Sequence, residues 1–224
     1  MNAAVVRQLV IVPASHQKLC AQLLKRLADY VIALPLLLLS LPVAFVCACW
    51  IKLASPGPAL FRQHREGKAG KCITVYKLRT MHLESERILT HYLAAHPDER
   101  LYWNRFYKLK HDPRVISGIG AFLRRYSIDE LPQLWNVLRG DMSLVGPRPF
   151  PYYHLENFSA DFRALRASVR PGVTGLWQVS SRSHGDLHVQ QSDDTYYIRN
   201  WSLRLDLEIL LHTLQSVLLA KGAY

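Results

Sequence analysis

Acidic residues are in short supply in this chain. Against 28 Lys and Arg, its 224 residues set only 17 Asp and Glu, for a formal net charge of +11. That imbalance points to an anionic partner: nucleic acid, phospholipid head groups or a phosphorylated substrate, among which composition does not choose. Cysteine is sparse as well. Cys20, Cys47, Cys49 and Cys72 have the spacing of neither a zinc site nor a disulfide framework. Cys47 and Cys49 sit in an apolar run, where a thiol serves as a small soft hydrophobe, so the thiols read as reduced and the soluble part as cytoplasmic. There is no GxxxxGKS/T loop and no GxGxxG, which removes the P-loop and dinucleotide fingerprints. No metal-hydrolase or serine-triad constellation stands out, and the pairs His64/His82 and His184/His188 lack a distinctive context. No internal repeat or low-complexity tract divides the chain, so its length suits one moderate domain with an appendage and a core of useful size.

Charge is also missing from one continuous stretch. From Tyr30 to Ile51 the sequence YVIALPLLLLSLPVAFVCACWI contains no charged side chain, enough to cross a hydrocarbon core of about 30 Å as a helix. A secretory signal is a poor reading, because the run starts too late, is too long and has no convincing cleavage site. Pro35 and Pro42 interrupt it, and an internal proline removes a backbone hydrogen bond and crowds the preceding turn. Both flanks are cationic: Lys18, Lys25 and Arg26 before, Lys52, Arg62, Arg65, Lys68 and Lys71 after. Such flanks prefer the cytoplasmic side. A helix that bends at Pro42 and returns would satisfy both, each arm reaching roughly 16 Å, about half the bilayer. The residues leave a re-entrant and a spanning helix open. Just upstream, Leu19, Leu23, Leu24 and Leu27 have helical spacing within Gln17–Asp29, which suits a helix at the membrane surface or one packed on the domain.

Beyond the run, Ser55-Pro56-Gly57-Pro58 reads as a turn. Leu60–Gln63 and Cys72–Arg79 read as strands joined by a Gly- and Lys-containing connection. Leu83–Ala95 reads as a helix ended by Pro97, and the aromatic-basic stretch LYWNRFYKLK follows. Ser127-Ile128-Asp129-Glu130 fits a capping box before the apolar pattern of Leu131, Leu134, Trp135 and Leu138, with Gly140 as the stop. Asp161–Ser168 is expected as a short helix, Gly175–Val179 as a short strand, and Asp194–Leu219 as one or two helices.

Chemistry is best sought at Asp129 and Glu130. Acids in a first helical turn ordinarily complement the dipole. An ionised carboxylate is also a ready nucleophile at neutral pH, and aspartyl phosphates are an established covalent intermediate. A phosphoryl centre needs cations for its oxygens. Lys77, Arg79, Arg124, Arg125, Arg148 and Arg170 are candidates, although each alone also reads as a solvated surface charge.

From Lys25 to Tyr224 the chain resembles the bacterial sugar transferase family, the monotopic phosphoglycosyl transferases. The resemblance is carried by KRLADYVIALPLLLLSLPVAFVCACWIKLASPGPALFRQHREG, VYKLRTM, KHDPRV, RRYSIDELPQLWNVLRGDMSLVGPRP, RPGVTGLWQVSSRS and DDTYYIRNWSLRLDLEIL, in that order. It implies an α+β fold in which a re-entrant membrane helix precedes a compact, mainly helical cytoplasmic domain with a few short strands. The expected divisions are an N-terminal segment with an amphipathic helix (1–29), a membrane helix broken at Pro42 (30–53) and a catalytic domain (54–224). It further implies that Asp129 attacks the sugar-linked phosphate of a UDP-sugar and expels UMP, and that polyprenyl (undecaprenyl) phosphate then accepts the sugar phosphate. Glu130 would help place Mg2+ or handle a proton, which makes Asp129 and Glu130 the implied metal ligands. Arg62, Lys77, Arg79 and Arg148 would bind phosphates or nucleotide. The implied location is the bacterial inner membrane, with the catalytic domain on the cytoplasmic face and membrane lipids as partners; a homodimer is left open. The chain departs from the family pattern at Leu41, where serine precedes the helix-breaking proline, and at Leu78, where phenylalanine is usual. It looks like the compact catalytic form without a multi-span leader. The stretch HYLAAHPDERLYWNRFYKLKHDPRV and the terminal GAY look more like members that handle hexose 1-phosphates, in glycan pathways such as exopolysaccharide, capsule or O-antigen synthesis.

Two other classes compete. A nucleic-acid-binding protein would explain the charge, but no zinc finger or RNP-like motif is present and the apolar run argues against it. A noncatalytic membrane scaffold would be expected to have lost the Asp-Glu pair, which this chain keeps.

Overall fold

The computed structural model describes residues 15–106, 109, 111–180 and 187–219. A single helix, α1 (Ser15–Ala54), opens the described chain and carries Pro35 and Pro42 inside it. The amphipathic segment and the apolar run expected as separate pieces are therefore one element. At the turn after α1, Gly57 takes a left-handed φ of 107°. β1 (Leu60–Glu66) and β2 (Cys72–Leu78) then form an antiparallel hairpin in which Leu60 faces Leu78 and Arg62 faces Tyr76. Next come α2 (Ser85–Ala95), α3 (Pro97–Phe106) and α4 (Ile119–Arg125). A 3-10 turn, Ile128–Glu130, leads into α5 (Gln133–Arg139) and β3 (Ser143–Val145). The remainder is α6 (Tyr152–Leu155), α7 (Ala160–Ala167), β4 (Gly172–Thr174), α8 (Leu176–Ser180), α9 (Leu187–Arg199) and α10 (Leu203–Leu218). The result is mostly helical, with short strands and one long apolar helix near the N-terminus.

Several local expectations change. Pro97 starts α3 rather than only ending α2, because a first helical turn has no use for the N–H that proline lacks. Ser127 is left-handed at φ 55° and makes no side-chain cap, so no capping box forms and the dyad sits on a 3-10 turn. Leu176–Ser180 is helical where a strand was expected, and the strand ends one residue before Gly175. Gly140 does terminate α5, at φ 90° with its N–H donated to Asn136 O and Val137 O. Of LYWNRFYKLK, Tyr107, Lys108 and Lys110 fall outside the described residues, as do His184 and the terminal GAY.

Helix α1 buries one stripe and leaves the rest bare. Asp29, Ala33, Ser40, Cys47 and Ile51 are buried, at intervals of four and seven residues that keep them on one helical face. Leu34, Leu38, Leu39, Leu41, Phe45, Val46 and Leu53 are exposed. The buried stripe meets the same globular body at both ends. Asp29 accepts hydrogen bonds from Ser143 Oγ and Leu144 N, while Cys47 and Ile51 pack with Leu78, Ile116, Ile119 and Leu123. A larger core joins Ala33 to Val75, Leu134, Val137, Met142, Val145 and Ile209.

Two sets of contacts hold β3 in place. β3 and β4 run parallel, and a Cβ on Gly172 would lie 2.1 Å from Gly146 N, so only glycine allows that approach. At the end of β3, Lys25 Nζ donates to Val145 O (3.0 Å) and ion-pairs with Asp206, which also accepts from Tyr197 Oη (2.7 Å) and Trp201 Nε1 (3.1 Å). This knot ties α1, β3 and α10 together.

Candidate active site

The dyad is presented by a strained turn. Ser127 supplies the left-handed residue, Glu130 N and Leu131 N close 3-10 bonds onto Ser127 O and Ile128 O, and Pro132 then starts α5. Both Asp129 and Glu130 are buried, each 8% exposed. At three residues per turn they point about 120° apart, so they face different neighbours.

Glu130 faces cations. Lys77 Nζ donates to its Oε1 at 2.7 Å, and Arg148 Nη2 lies 3.2 Å from the same oxygen. Lys77 comes from β2 and Arg148 from the loop after β3, so hairpin and loop converge on the dyad. Burial raises the Asp129 carboxyl above its ordinary range; Lys77 opposes this, Glu130 adds to it, and Arg124 and Arg148 oppose it. Burial likewise lowers Lys77, against the pull of Glu130. Arg65 is lowered to about 10 by burial and by the nearby Arg148, with Tyr153 and Glu130 acting the other way. Arg124, lowered by burial, donates to Thr80 Oγ1 at 3.1 Å. His154 is held down at about 4 by burial and by Arg65 and Arg148, so it is neutral at pH 7. Two carboxylates thus share their surroundings with four cations, a field suited to a polyanion.

The Arg148 loop is pinned from two sides. Arg65 Nη1 donates to Pro149 O (3.2 Å), and Glu66 N to Phe150 O (3.2 Å). From the other side, Arg166 on α7 forms a buried ion pair with Asp194 on α9, donates to Arg148 O, and lies 4.1 Å above the Phe150 ring. Burial raises Asp194 to about 6, against the pull of Arg166, which leaves the pair ionised at neutral pH.

Of the site residues expected from sequence, Asp129, Glu130, Lys77 and Arg148 come together, and Arg124 joins them. Arg79 is elsewhere engaged: it is buried and donates to Ser55 Oγ (3.1 Å) and Ser55 O (2.8 Å). Arg62 lies 5.8 Å over the Tyr76 ring, and Arg170 donates to Gly140 O at 3.0 Å. Sequence reasoning missed Arg65 and Arg166 as parts of the site. The available signal was Arg166 on the buried face of α7, one turn from Phe162, where a charge requires a partner.

Two hard carboxylates suit Mg2+, which uses one or two such ligands together with water and phosphate oxygens. Among the described residues, no group of three or more His, Cys, Asp or Glu assembles into an all-protein metal cage. A concavity of about 500 Å3, lined by His188, Thr195, Arg199 and neighbours on α9, does not include the dyad.

A family model described as bacterial sugar transferase matches residues 20–220. The chain is 41% identical over 208 residues to an undecaprenyl-phosphate galactose phosphotransferase of Salmonella typhimurium, covering 92% of this chain and 43% of that one. It is 39% identical over 201 residues to the exopolysaccharide production protein ExoY of Rhizobium meliloti, covering 89% and 88%. Against a UDP-glucose:undecaprenyl-phosphate glucose-1-phosphate transferase of Caulobacter vibrioides it is 42% identical over 214 residues, covering 92% and 74%. The chain therefore spans less than half of the Salmonella relative and most of the Rhizobium one.

Proposed function

The chain belongs to the bacterial sugar transferase family, and we propose that it transfers a hexose 1-phosphate from a UDP-sugar to undecaprenyl phosphate, in exopolysaccharide or related glycan synthesis. The observation that carries this reading is a buried Asp-Glu pair set among Lys77, Arg148, Arg124 and Arg65. The activities for which those relatives are named supply the substrate class.

In the first step an oxygen of the Asp129 carboxylate attacks the sugar-linked phosphorus of the donor. The bond from that phosphorus to the bridging oxygen breaks, and UMP departs with the electron pair. The phosphosugar is left on Asp129 as an acyl phosphate. In the second step an oxygen of the acceptor phosphate attacks the same phosphorus, the bond to Asp129 breaks, and the carboxylate is restored as the lipid diphosphate sugar forms. Lys77 and Arg148 hold Glu130 in place and balance phosphate charge as it shifts. Asp129 and Glu130 would hold Mg2+, whose contribution is to neutralise the diphosphate oxygens. Asp129→Asn keeps the shape and loses the nucleophile. With radiolabelled UDP-sugar, magnesium and no acceptor, the wild type should gain hydroxylamine-sensitive label and Asp129→Asn none. Label on Asp129→Asn would place the nucleophile elsewhere, and a wild type that turns over without ever carrying label would replace the two steps by direct transfer.

We further propose that α1 enters the cytoplasmic face of the inner membrane and returns to it. The contacts of Asp29 and Ile51 with one globular body support this arrangement, because a helix perpendicular to the bilayer would drag that body into lipid. Cys20 and Cys72 are both exposed and bracket the apolar run. Retained singly in a thiol-free background, each should resist a membrane-impermeant maleimide in spheroplasts and react after permeabilisation. Labelling of Cys20 alone before permeabilisation would indicate a spanning helix.

A further inference from the structure

An apolar groove of about 370 Å3 lies between α1 and the segment that follows the dyad. One wall is α1, through Leu37, Leu41 and Ala44; the other is Leu131, Pro132 and Trp135. Leu131 and Pro132 follow Glu130 directly in the chain, and Tyr76, also in the lining, directly precedes Lys77. The groove is thus built from residues next in sequence to Lys77 and the dyad on one side and from the apolar helix on the other.

Its chemistry is that of a hydrocarbon site. Ser40 lines it, but its Oγ donates back to Leu37 O at 2.8 Å. Tyr76 N is taken by Asn136 Oδ1 at 3.2 Å, and its Oη accepts from Arg139 at 3.4 Å. A sugar or uracil seated here would leave its polar groups unpaired, which is costly. Trp135 and Leu41, both in its lining, are half exposed, and Leu41 belongs to the bare apolar surface of α1.

We propose that this groove binds the isoprene units nearest the phosphate of the acceptor lipid, delivering that phosphate toward Lys77 and Arg148. The inference rests on the polyprenyl-phosphate acceptor reading above and adds where the chain of that acceptor lies. It makes the groove a determinant of the second step only. The first step uses a soluble nucleotide-sugar and draws nothing from an apolar cleft.

The test separates the two steps in the full-length protein, in detergent or nanodiscs. Exchange of labelled UMP into UDP-sugar, without acceptor, reads the first step. Transfer to undecaprenyl phosphate and to the short farnesyl phosphate reads the second. Ala44→Trp fills the groove and Trp135→Ala removes a wall. Each should leave UMP exchange and the melting temperature near wild type. Each should lower kcat/KM for both acceptors roughly tenfold, the scale of one lost apolar side-chain contact. Unchanged kcat/KM for both acceptors in both variants would overturn the groove assignment while wild-type exchange upholds the family reading. Equal losses in UMP exchange and transfer would also overturn it, because the groove would then serve the whole site. If wild-type protein transfers sugar phosphate from no UDP-sugar to undecaprenyl phosphate, the reading beneath the inference falls first.

Discussion

Because burial lifts the Asp129 carboxyl, its nucleophilic form is lost on acidification at a higher pH than an ordinary aspartate would require. The rate of UMP exchange should therefore fall on an acid limb placed above the ordinary aspartate range. The same shift has a stability sign. A carboxylate with a raised folded pKa is ionised at a cost to the fold, a cost that appears as pH rises through the unfolded and then the folded value and persists above both. At pH 7, Asp129→Asn should melt no lower than wild type; a lower melting point would mean that the Lys77 and Arg124 attractions outweigh burial. His154 works the other way. Its folded value near 4 is depressed, so its contribution is complete above the unfolded value of about 6.5 and is lost as pH falls toward 4. His154→Gln should flatten the dependence of melting temperature on pH across that window. Arg148 and Arg79 separate in a parallel way. Arg148→Lys should cut kcat by ~100-fold, the scale for loss of one donor to transition-state charge. Arg79→Lys should instead lower stability by about 1–2 kcal/mol through its Ser55 contacts. A large kcat loss in Arg79→Lys without loss of stability would return Arg79 to the phosphate shell.

Among the elements, legibility followed locality. The hairpin, the Gly140 stop and the helices at the end of the chain could be read because alternation, a left-handed glycine and apolar spacing act over a few residues. The left-handed Ser127 could not, because the same four residues satisfy a capping box on paper, and tertiary packing of the dyad turn chose otherwise. The α8 segment was misread as a strand because a run as short as Gly175–Val179, with Leu176, Trp177 and Val179 apolar, fits either period. Lys77, Asp129, Glu130 and Arg148 were legible through the family resemblance. Arg65 and the Arg166–Asp194 pair were not, since nothing near either arginine in sequence marks its partner. That pair should act by holding the Arg148 carbonyl. Arg166→Lys keeps a charge for Asp194 but loses the planar fork that also reaches Arg148 O. It should lower kcat more than it raises KM for the UDP-sugar. A pure stability loss with unchanged kcat would make the pair structural only.

For the whole molecule, the exposed leucine face of α1 and the net charge of +11 combine two attractions to a membrane: apolar area and cationic charge. High salt should weaken only the second, so membrane fractions should retain the protein at 1 M salt and release it into detergent. The knot at Val145 carries a consequence in time. Lys25 and Asp206 are separated by 181 positions, and at 5–20 residues per second that interval is roughly 9–36 s of translation. During it the apolar helix has been made, and its lysine waits for a carboxylate still to be synthesised. The nascent chain must therefore be sheltered by lipid or chaperone before β3 and the loop carrying Arg148 can lock, and ribosomes stalled before Leu203 should leave a protease-sensitive catalytic body on an anchored helix.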